Sequence, residues 1–235
     1  MKIVMSVLSV LVVILNVNGS SIVVDGFNAD TYSMGQIIGN NGWFNREQGQ
    51  SFSIHSGVAY EGSSALVSGN SEPFGIITKK GSSFADGYQS FYFLPEQVSS
   101  WGSPRSFQFG IFQDSWDGPS RAVMSFRSDG HSYYIDRRTD SFIDMGTFIE
   151  NTWNSAEIEW RSFDTSARYR VNAGEWTEWT PFIVTSSYSY FDTVGISIIS
   201  LNGGTLYIDA LGTPVPEPGA IWIGIVGLCL MHRKR

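Results

Sequence analysis

Two neighbouring stretches, AEIEWRS at residues 156–162 and ARYRVNAGEW at residues 167–176, decide the fold class of this chain. Apolar and polar residues alternate in both, which gives each stretch one apolar face, as in a strand of a half-buried antiparallel sheet. Asn172 and Gly174 tolerate a positive φ, so they predict a turn that reverses the chain after Val171. The two stretches therefore predict strands and a hairpin of an all-β protein.

The same pattern recurs elsewhere along the sequence. SFQFGIF at residues 106–112 and TLYIDAL at residues 205–211 each predict a strand with one apolar face. SDGHS at residues 128–132 and LNGG at residues 201–204 predict turns between further strands. Roughly a dozen short strands with regular turns, and no long helical periodicity, predict a sandwich or barrel. Without a break in composition, residues 20–212 are predicted to form a single domain.

The N-terminal stretch has the pattern of an export signal. Lys2 is followed by an apolar run at residues 3–17, and Val17 and Gly19 are small enough for a signal-peptidase site. We therefore expect a helical signal peptide at residues 1–19, with an uncleaved anchor as the alternative. Either way, the remainder of the chain is exported.

The C-terminal stretch, VPEPGAIWIGIVGLCLMHRKR at residues 215–235, consists of a proline-containing part, an apolar part and a basic end. Its prolines favour an extended strip, because each lacks a backbone N–H. The thirteen residues 219–231 could form a short hydrophobic helix of about 20 Å, against about 30 Å of bilayer hydrocarbon. A basic tip follows, which would stay on the cytoplasmic side of a membrane.

This three-part order resembles the PEP-CTERM sorting signal, which is read by a membrane enzyme, exosortase, during export from bacteria. The resemblance covers residues 213–235 and implies a transient anchor in the inner membrane, followed by delivery to the cell surface or extracellular matrix. A plain C-terminal anchor is the alternative. The residues that carry the resemblance are Pro216, Glu217, Pro218, Arg233, Lys234 and Arg235.

Charge and cysteine content exclude several functions. The whole chain has a net charge of −7, and removal of both ends leaves a body of about −10 to −11. So acidic a body would be repelled by nucleic acid, which is bound through clustered Lys and Arg. The single cysteine, Cys229, lies in the apolar tail, so the body contains neither a disulfide nor the ligands of a Cys/His zinc site.

The order of strands resembles the concanavalin A-like jelly roll, an antiparallel β-sandwich. The features are SIVVDGFN at residues 21–28, the stretches quoted first, and a closing LYIDALG at residues 206–212. The resemblance implies that the first and last strands pair, with Val23 beside Ile208. It also implies a fold that hosts lectins, glucanases, lyases and adhesion modules, and so leaves the activity open.

No catalytic set is evident in the sequence. Glycosidases of this fold resemble one another in a Glu-x-Asp-x-x-Glu strand, and the nearest stretch here, with Glu157 and Glu159, lacks the third acid. We expect these carboxylates to pair across strands with Arg168 or Arg170 on a solvated face. Motifs for a nucleophile elbow or a phosphate loop are also absent from the sequence.

Aromatic and acidic residues in loops indicate ligand binding instead. Sugars bind with their apolar C–H faces on aromatic rings, while nearby polar groups hold their hydroxyls. Calcium accompanies this fold in the proteins it resembles, and Asp25 with Asp209, or Asp114 with Asp117, could supply oxygen ligands. Trp176 and Trp179 are expected on opposite faces of a strand. The candidate glycan-binding residues are Trp101, Asp114, Trp116, Asp117 and Arg121.

Together these patterns predict an exported, non-catalytic β-sandwich that binds an extracellular polysaccharide. The alternatives are a polysaccharide-cleaving enzyme of the glucanase or lyase type on the same fold, and a structural matrix protein without a ligand. Paired acids, or a Tyr/His/Arg set, that line the concave sheet would favour an enzyme. A groove floored by Trp and Tyr without such a set would favour binding, and a flat face with neither would favour a structural role.

Overall fold

A computed structural model describes residues 20–28, 31–33, 35–37, 39, 41–45, 52–68, 75–102, 106–136, 138–139 and 141–213. The predicted signal helix at residues 1–19 and the predicted C-terminal helix lie outside these ranges, as do all six sorting-signal residues. Within the ranges given, no helix is both long and apolar enough to cross a membrane.

The regular secondary structure of the described residues consists of strands and one 3₁₀ turn at Val98–Ser100. The strands are β1 (Gly35–Gln36), β2 (Trp43–Asn45), β3 (Phe52–Ser56), β4 (Ser64–Ser68), β5 (Gly75–Phe84), β6 (Gly87–Glu96), β7 (Phe107–Phe112), β8 (Ser120–Phe126), β9 (His131–Asp136), β10 (Ser141–Thr147), β11 (Asn154–Arg161), β12 (Ser166–Val171), β13 (Thr180–Pro181), β14 (Ile183–Val184), β15 (Phe191–Ile198) and β16 (Thr205–Asp209).

These strands form two antiparallel sheets. Sheet I has the order β1-β3-β4-β16-β6-β11-β12-β13. Sheet II has the order β10-β9-β8-β7-β15-β5-β2, with β14 paired to β8. The predicted all-β sandwich is therefore confirmed, and successive strands cross repeatedly between its two sheets.

The core lies between the sheets and is filled by the apolar faces of the strands. Phe107, Phe109 and Ile111 of β7 are completely buried, as the alternation in residues 106–112 predicts. Phe91 of β6 stacks on Phe109, with 4.0 Å between ring centroids, so this contact joins sheet I directly to sheet II. Aromatic rings thus supply much of the buried apolar area that holds the sheets together.

The β11–β12 hairpin has the predicted faces. Ala156, Ile158 and Trp160 are buried in the core, opposite the core residues of β12. The turn after β12 uses a positive φ at Asn172 and Ala173, of 54° and 51°. Positive φ at two successive residues matches the twist of antiparallel strands, which is why the chain reverses here.

The first segment of the body differs from the sequence-based prediction. Residues 21–28 form a single antiparallel bridge, between Asp25 and Leu211, instead of a regular strand. The two backbone hydrogen bonds of this bridge measure 2.9 and 2.8 Å. The two ends of the body therefore pair, but Ile208 lies opposite Leu66 and Phe93, so the predicted register with Val23 is wrong.

Candidate functional site

Three aromatic side chains meet on the outer face of sheet I, and we call them the aromatic platform: Tyr60, Tyr92 and Trp153. The rings of Tyr60 and Tyr92 are stacked with 3.6 Å between centroids, and Trp153 meets Tyr60 edge-on at 5.8 Å. Tyr60 is 40% exposed, whereas Tyr92 is 5% exposed. The platform thus presents one accessible ring, supported from below by a buried one.

Strand alternation and a short loop place these rings. Tyr92 lies between the core residues Phe91 and Phe93 of β6, so its side chain points to the opposite, outer face. Tyr60 lies in the loop that joins β3 to β4. Trp153 directly precedes β11, which is the neighbour of β6 in sheet I.

Asp209 fixes the loop that carries Tyr60. Its Oδ2 accepts hydrogen bonds from the backbone N–H groups of Tyr60 and Glu61, at 2.8 and 2.9 Å. Its Oδ1 accepts a hydrogen bond from the N–H of Ala210, at 2.8 Å. Asp209 is 0% exposed, and this burial raises the pKa of its carboxyl group from 3.8 to about 6.

Stability should therefore depend on pH through Asp209. Because its pKa is higher in the folded state, the contribution of this group is fully present below about pH 4 and is lost as the pH rises through about 6. Relative to Asp209→Asn, the wild-type protein should lose about 3 kcal/mol of unfolding free energy between about pH 4 and pH 7.5, since one pKa unit is about 1.4 kcal/mol. Urea titrations of both proteins across this range measure the difference. A constant difference would contradict the assignment.

A buried ion pair lies beside the platform. Arg170 donates from Nε and Nη2 to the two carboxylate oxygens of Glu157, at 2.6 and 2.7 Å, and Tyr88 donates its hydroxyl at 2.6 Å. The predicted cross-strand pairing is confirmed, because Glu157 is opposite Arg170 and Glu159 is opposite Arg168. The predicted solvated face is wrong for the inner pair, since Glu157 is 0% and Arg170 4% exposed. The Glu157 carboxylate is therefore closed off from a substrate that approaches from solvent.

Arginines and tryptophans continue this face towards its β13 edge, in what we call the Arg–Trp row. The ring centroid of Trp179 lies 3.9 Å from Cζ of Arg161 and 4.9 Å from Cζ of Arg168. Trp176 lies 4.7 Å from Arg168 and 4.4 Å from Arg170. The expectation that the tryptophans occupy opposite faces is wrong, because the segment between them is not a regular strand and both contact Arg168.

The predicted glycan-binding loop belongs to the other sheet. Trp116 is half-buried, with its ring 4.6 Å from that of Phe112, and it covers Gly195, where an added Cβ would lie 2.6 Å from the indole. Asp114 accepts a hydrogen bond from the hydroxyl of Tyr190 at 3.0 Å. Asp117 is exposed in the same loop, and Arg121 follows at the start of β8. These four residues stay a second candidate site, away from the aromatic platform.

Trp101 is part of the core. It is 4% exposed, its ring stacks on Phe148 and meets Phe107 edge-on, and its Nε1 donates to the carbonyl oxygen of Glu96 at 3.2 Å. Neither face of the ring can therefore receive a sugar. This placement corrects the prediction for Trp101, which was based on its position in a polar loop.

The two acids predicted to hold calcium have separate partners. Asp25 pairs with the ammonium of Lys79 at 2.7 Å, whereas Asp209 binds the backbone N–H groups described above. In the part of the chain that the structure describes, no group of three or more His, Cys, Asp or Glu residues is arranged to hold a metal ion. Calcium binding at Asp25 with Asp209, or at Asp114 with Asp117, stays a prediction.

Comparison with known proteins relates the chain to others by fold alone. No protein-family model and no curated protein matches the sequence. Among solved structures, a conserved carbohydrate esterase from the Shiga toxin-encoding bacteriophage phi24B is 10% identical, with a TM-score of 0.51 over 80% of this chain and 98% of that one. A sialidase is also 10% identical, with a TM-score of 0.50 over 78% of this chain. This chain spans only 18% of the length of the sialidase.

Proposed function

We propose that the sandwich is a non-catalytic glycan-binding domain whose ligand lies on the aromatic platform. The exposed ring of Tyr60, stacked on Tyr92 and flanked by Trp153, is the observation that carries this proposal. Such a ring offers an apolar face of the size of a sugar ring, with a polar edge for hydrogen bonds. Because Asp209 already holds the Tyr60 loop, little conformational entropy would be lost on binding.

The state of the carboxylates favours binding over hydrolysis. A glycosidase of this fold needs two accessible acids on one face, one of which holds a proton. Here Glu157 is buried against Arg170, and Glu159 is paired with Arg168 at 2.5 Å. Two solved proteins that share the fold are named a sialidase and a carbohydrate esterase. These names support a glycan as the ligand that we propose.

Truncation of the platform should remove glycan binding. Tyr60→Ala and Trp153→Ala are each expected to weaken binding to a recognised polysaccharide about tenfold or more, since loss of a central aromatic anchor costs at least about 1.4 kcal/mol. A glycan array identifies the ligand, and affinity electrophoresis in gels that contain this polysaccharide measures the change. Phe163→Ala is the matched control, because Phe163 is an aromatic residue that is 79% exposed and lies outside the platform.

The same assay separates the two candidate sites. Trp116→Ala should leave binding unchanged if the platform is the site. Loss of binding in Trp116→Ala, with wild-type binding in Tyr60→Ala and Trp153→Ala, would transfer the function to the loop on sheet II. Release of reducing sugar from the polysaccharide by the wild-type protein would contradict a purely binding role.

We further propose that residues 1–19 export the protein and that residues 213–235 are a PEP-CTERM sorting signal that exosortase reads at the inner membrane. The support is the order of Pro216, Glu217 and Pro218, an apolar stretch and a basic tip, in a chain that also begins with a signal-peptide pattern. The protein would then reach the cell surface or the extracellular polysaccharide matrix. Mass spectrometry of the mature termini tests this, and secreted protein that retains Arg235 would contradict processing.

A further inference from the structure

A lysine, a carboxylate and a tyrosine meet at the junction of the two sheets, on the side where the first segment of the body enters. Lys79 of β5 points inward, and its Nζ lies 2.7 Å from Oδ2 of Asp25. The hydroxyl of Tyr32 donates to the same Oδ2 and accepts a hydrogen bond from Nζ of Lys79 at 3.3 Å. One hydroxyl thus contacts both members of the ion pair.

This ion pair is largely buried. The side chains of Lys79 and Asp25 are 14% and 4% exposed, and Tyr32, Phe27 and Trp43 are 2%, 0% and 0% exposed. Burial and the adjacent carboxylate raise the pKa of Tyr32, so its hydroxyl keeps its proton.

Hydrogen-bond donors also surround the carboxyl group of Asp25. The backbone N–H of Phe27 donates to Oδ1 at 3.1 Å, and Nε1 of Trp43 lies 3.3 Å from Oδ2. A donor at Oδ1 would stabilise the negative charge that develops there when a nucleophile attacks Cγ. Donors at Oδ2 would assist its departure. The carboxyl group is therefore arranged as an acyl group with a polarised carbonyl oxygen and a leaving oxygen.

We propose that Lys79 and Asp25 condense to an intramolecular isopeptide bond, with Tyr32 as the proton relay. A proton first moves from Nζ to Oδ2, which gives a neutral amine and a neutral acid. Nζ then attacks Cγ, and the new N–C bond forms as charge moves to Oδ1. The hydroxyl of Tyr32 takes a proton from Nζ and gives its own to Oδ2, which leaves as water. One amide and one water are formed, and no other reactant is consumed.

The bond would join two parts of the fold that no disulfide can join. Asp25 lies on the segment that pairs with Leu211 in continuation of sheet I, whereas Lys79 belongs to sheet II. The single cysteine of the chain, Cys229, lies beyond the sandwich. A covalent link here closes a loop of the unfolded chain and so would stabilise the folded state in the way a disulfide does.

Peptide mapping of the purified full chain tests the bond. Trypsin should fail to cut after Lys79, so that residues 47–80 are recovered in covalent linkage to the peptide that ends at Arg46, at a mass one water below their sum. Lys79→Arg keeps a cation but should abolish the linked peptide. Lys80→Arg, at an exposed neighbouring lysine that pairs with Asp192, is the matched control and should retain it.

Tyr32→Phe distinguishes the relay from mere packing. It keeps the aromatic ring but removes the hydroxyl, so the linked peptide should accumulate about 100-fold more slowly during refolding, the usual size of a general acid–base contribution. An unchanged rate in Tyr32→Phe would overturn the relay. Complete recovery of residues 47–79 and the peptide ending at Arg46 as separate peptides from the wild-type chain would overturn the bond itself.

Discussion

Replacement of Arg170 by methionine is expected to lower the free energy of unfolding by about 3–5 kcal/mol, the usual cost of leaving one member of a buried ion pair without its partner. Glu157 is 0% exposed and receives both hydrogen bonds of the Arg170 fork. Without that fork, Glu157 keeps the hydrogen bond from the hydroxyl of Tyr88 but loses the positive charge that compensates its own. Methionine keeps most of the volume of the arginine stem. The loss of unfolding free energy would therefore come from the unpaired charge of Glu157 and not from a cavity.

Two companion variants make this result specific. Arg168→Met breaks the neighbouring pair with Glu159, whose side chains are 30% and 26% exposed, and should cost about 1 kcal/mol or less. Glu157→Gln combined with Arg170→Met removes both charges and should recover most of the stability. Guanidinium titrations measure all three. Equal losses for Arg170→Met and Arg168→Met would show that burial of the inner pair has no energetic consequence.

Replacement of Phe91 by alanine should lower the free energy of unfolding by about 3–5 kcal/mol, as is typical for a large aromatic removed from a core. Phe91 is completely buried and contacts Phe93, Phe109 and Phe126. Because its ring spans the space between the sheets, the cavity would lie at the centre of the sandwich. The rigid strands on both sides limit how far that cavity can collapse.

Thermal and guanidinium unfolding measure this loss, with Phe163→Ala as the control. Phe163 is 79% exposed, so its truncation should change the stability by no more than about 0.5 kcal/mol. Phe91→Leu, which leaves a smaller void, should lie between the two. A Phe91→Ala protein as stable as Phe163→Ala would mean that the two sheets are held together elsewhere.

The strands could be predicted because their signal is local. In β11 the alternate residues Ala156, Ile158 and Trp160 face the core, and the pairing of Glu157 with Arg170 follows from the register of one hairpin. The pairing of the first segment of the body could not be predicted in the same way. Residues 21–28 are apolar enough for a strand, but β4 already occupies the edge of β16 that the first segment was expected to take. Competition between distant segments for one sheet edge cannot be recognised from the sequence of either segment alone.

The candidate site was missed for a related reason. Tyr60, Tyr92 and Trp153 come from a loop, a strand and the approach to another strand, so only the completed sheet brings them together. Alternation alone would have placed Tyr92 on the outer face, but not its partners. The polar neighbours of Trp101 and Trp116 in the sequence alone predict exposed loop positions for both. The structure instead places Trp101 in the core and seats Trp116 on Phe112.

The position of β16 has a mechanical consequence. This strand lies between β4 and β6, and its continuation as far as Thr213 is bonded to Ser90 and, through Leu211, to Asp25. A tether attached beyond Thr213 would pull along an interior strand, and the load would be shared as shear by hydrogen bonds on both flanks. An edge strand would peel away one bond at a time. The C-terminal end of the sandwich is therefore the end at which the fold should best resist an applied force.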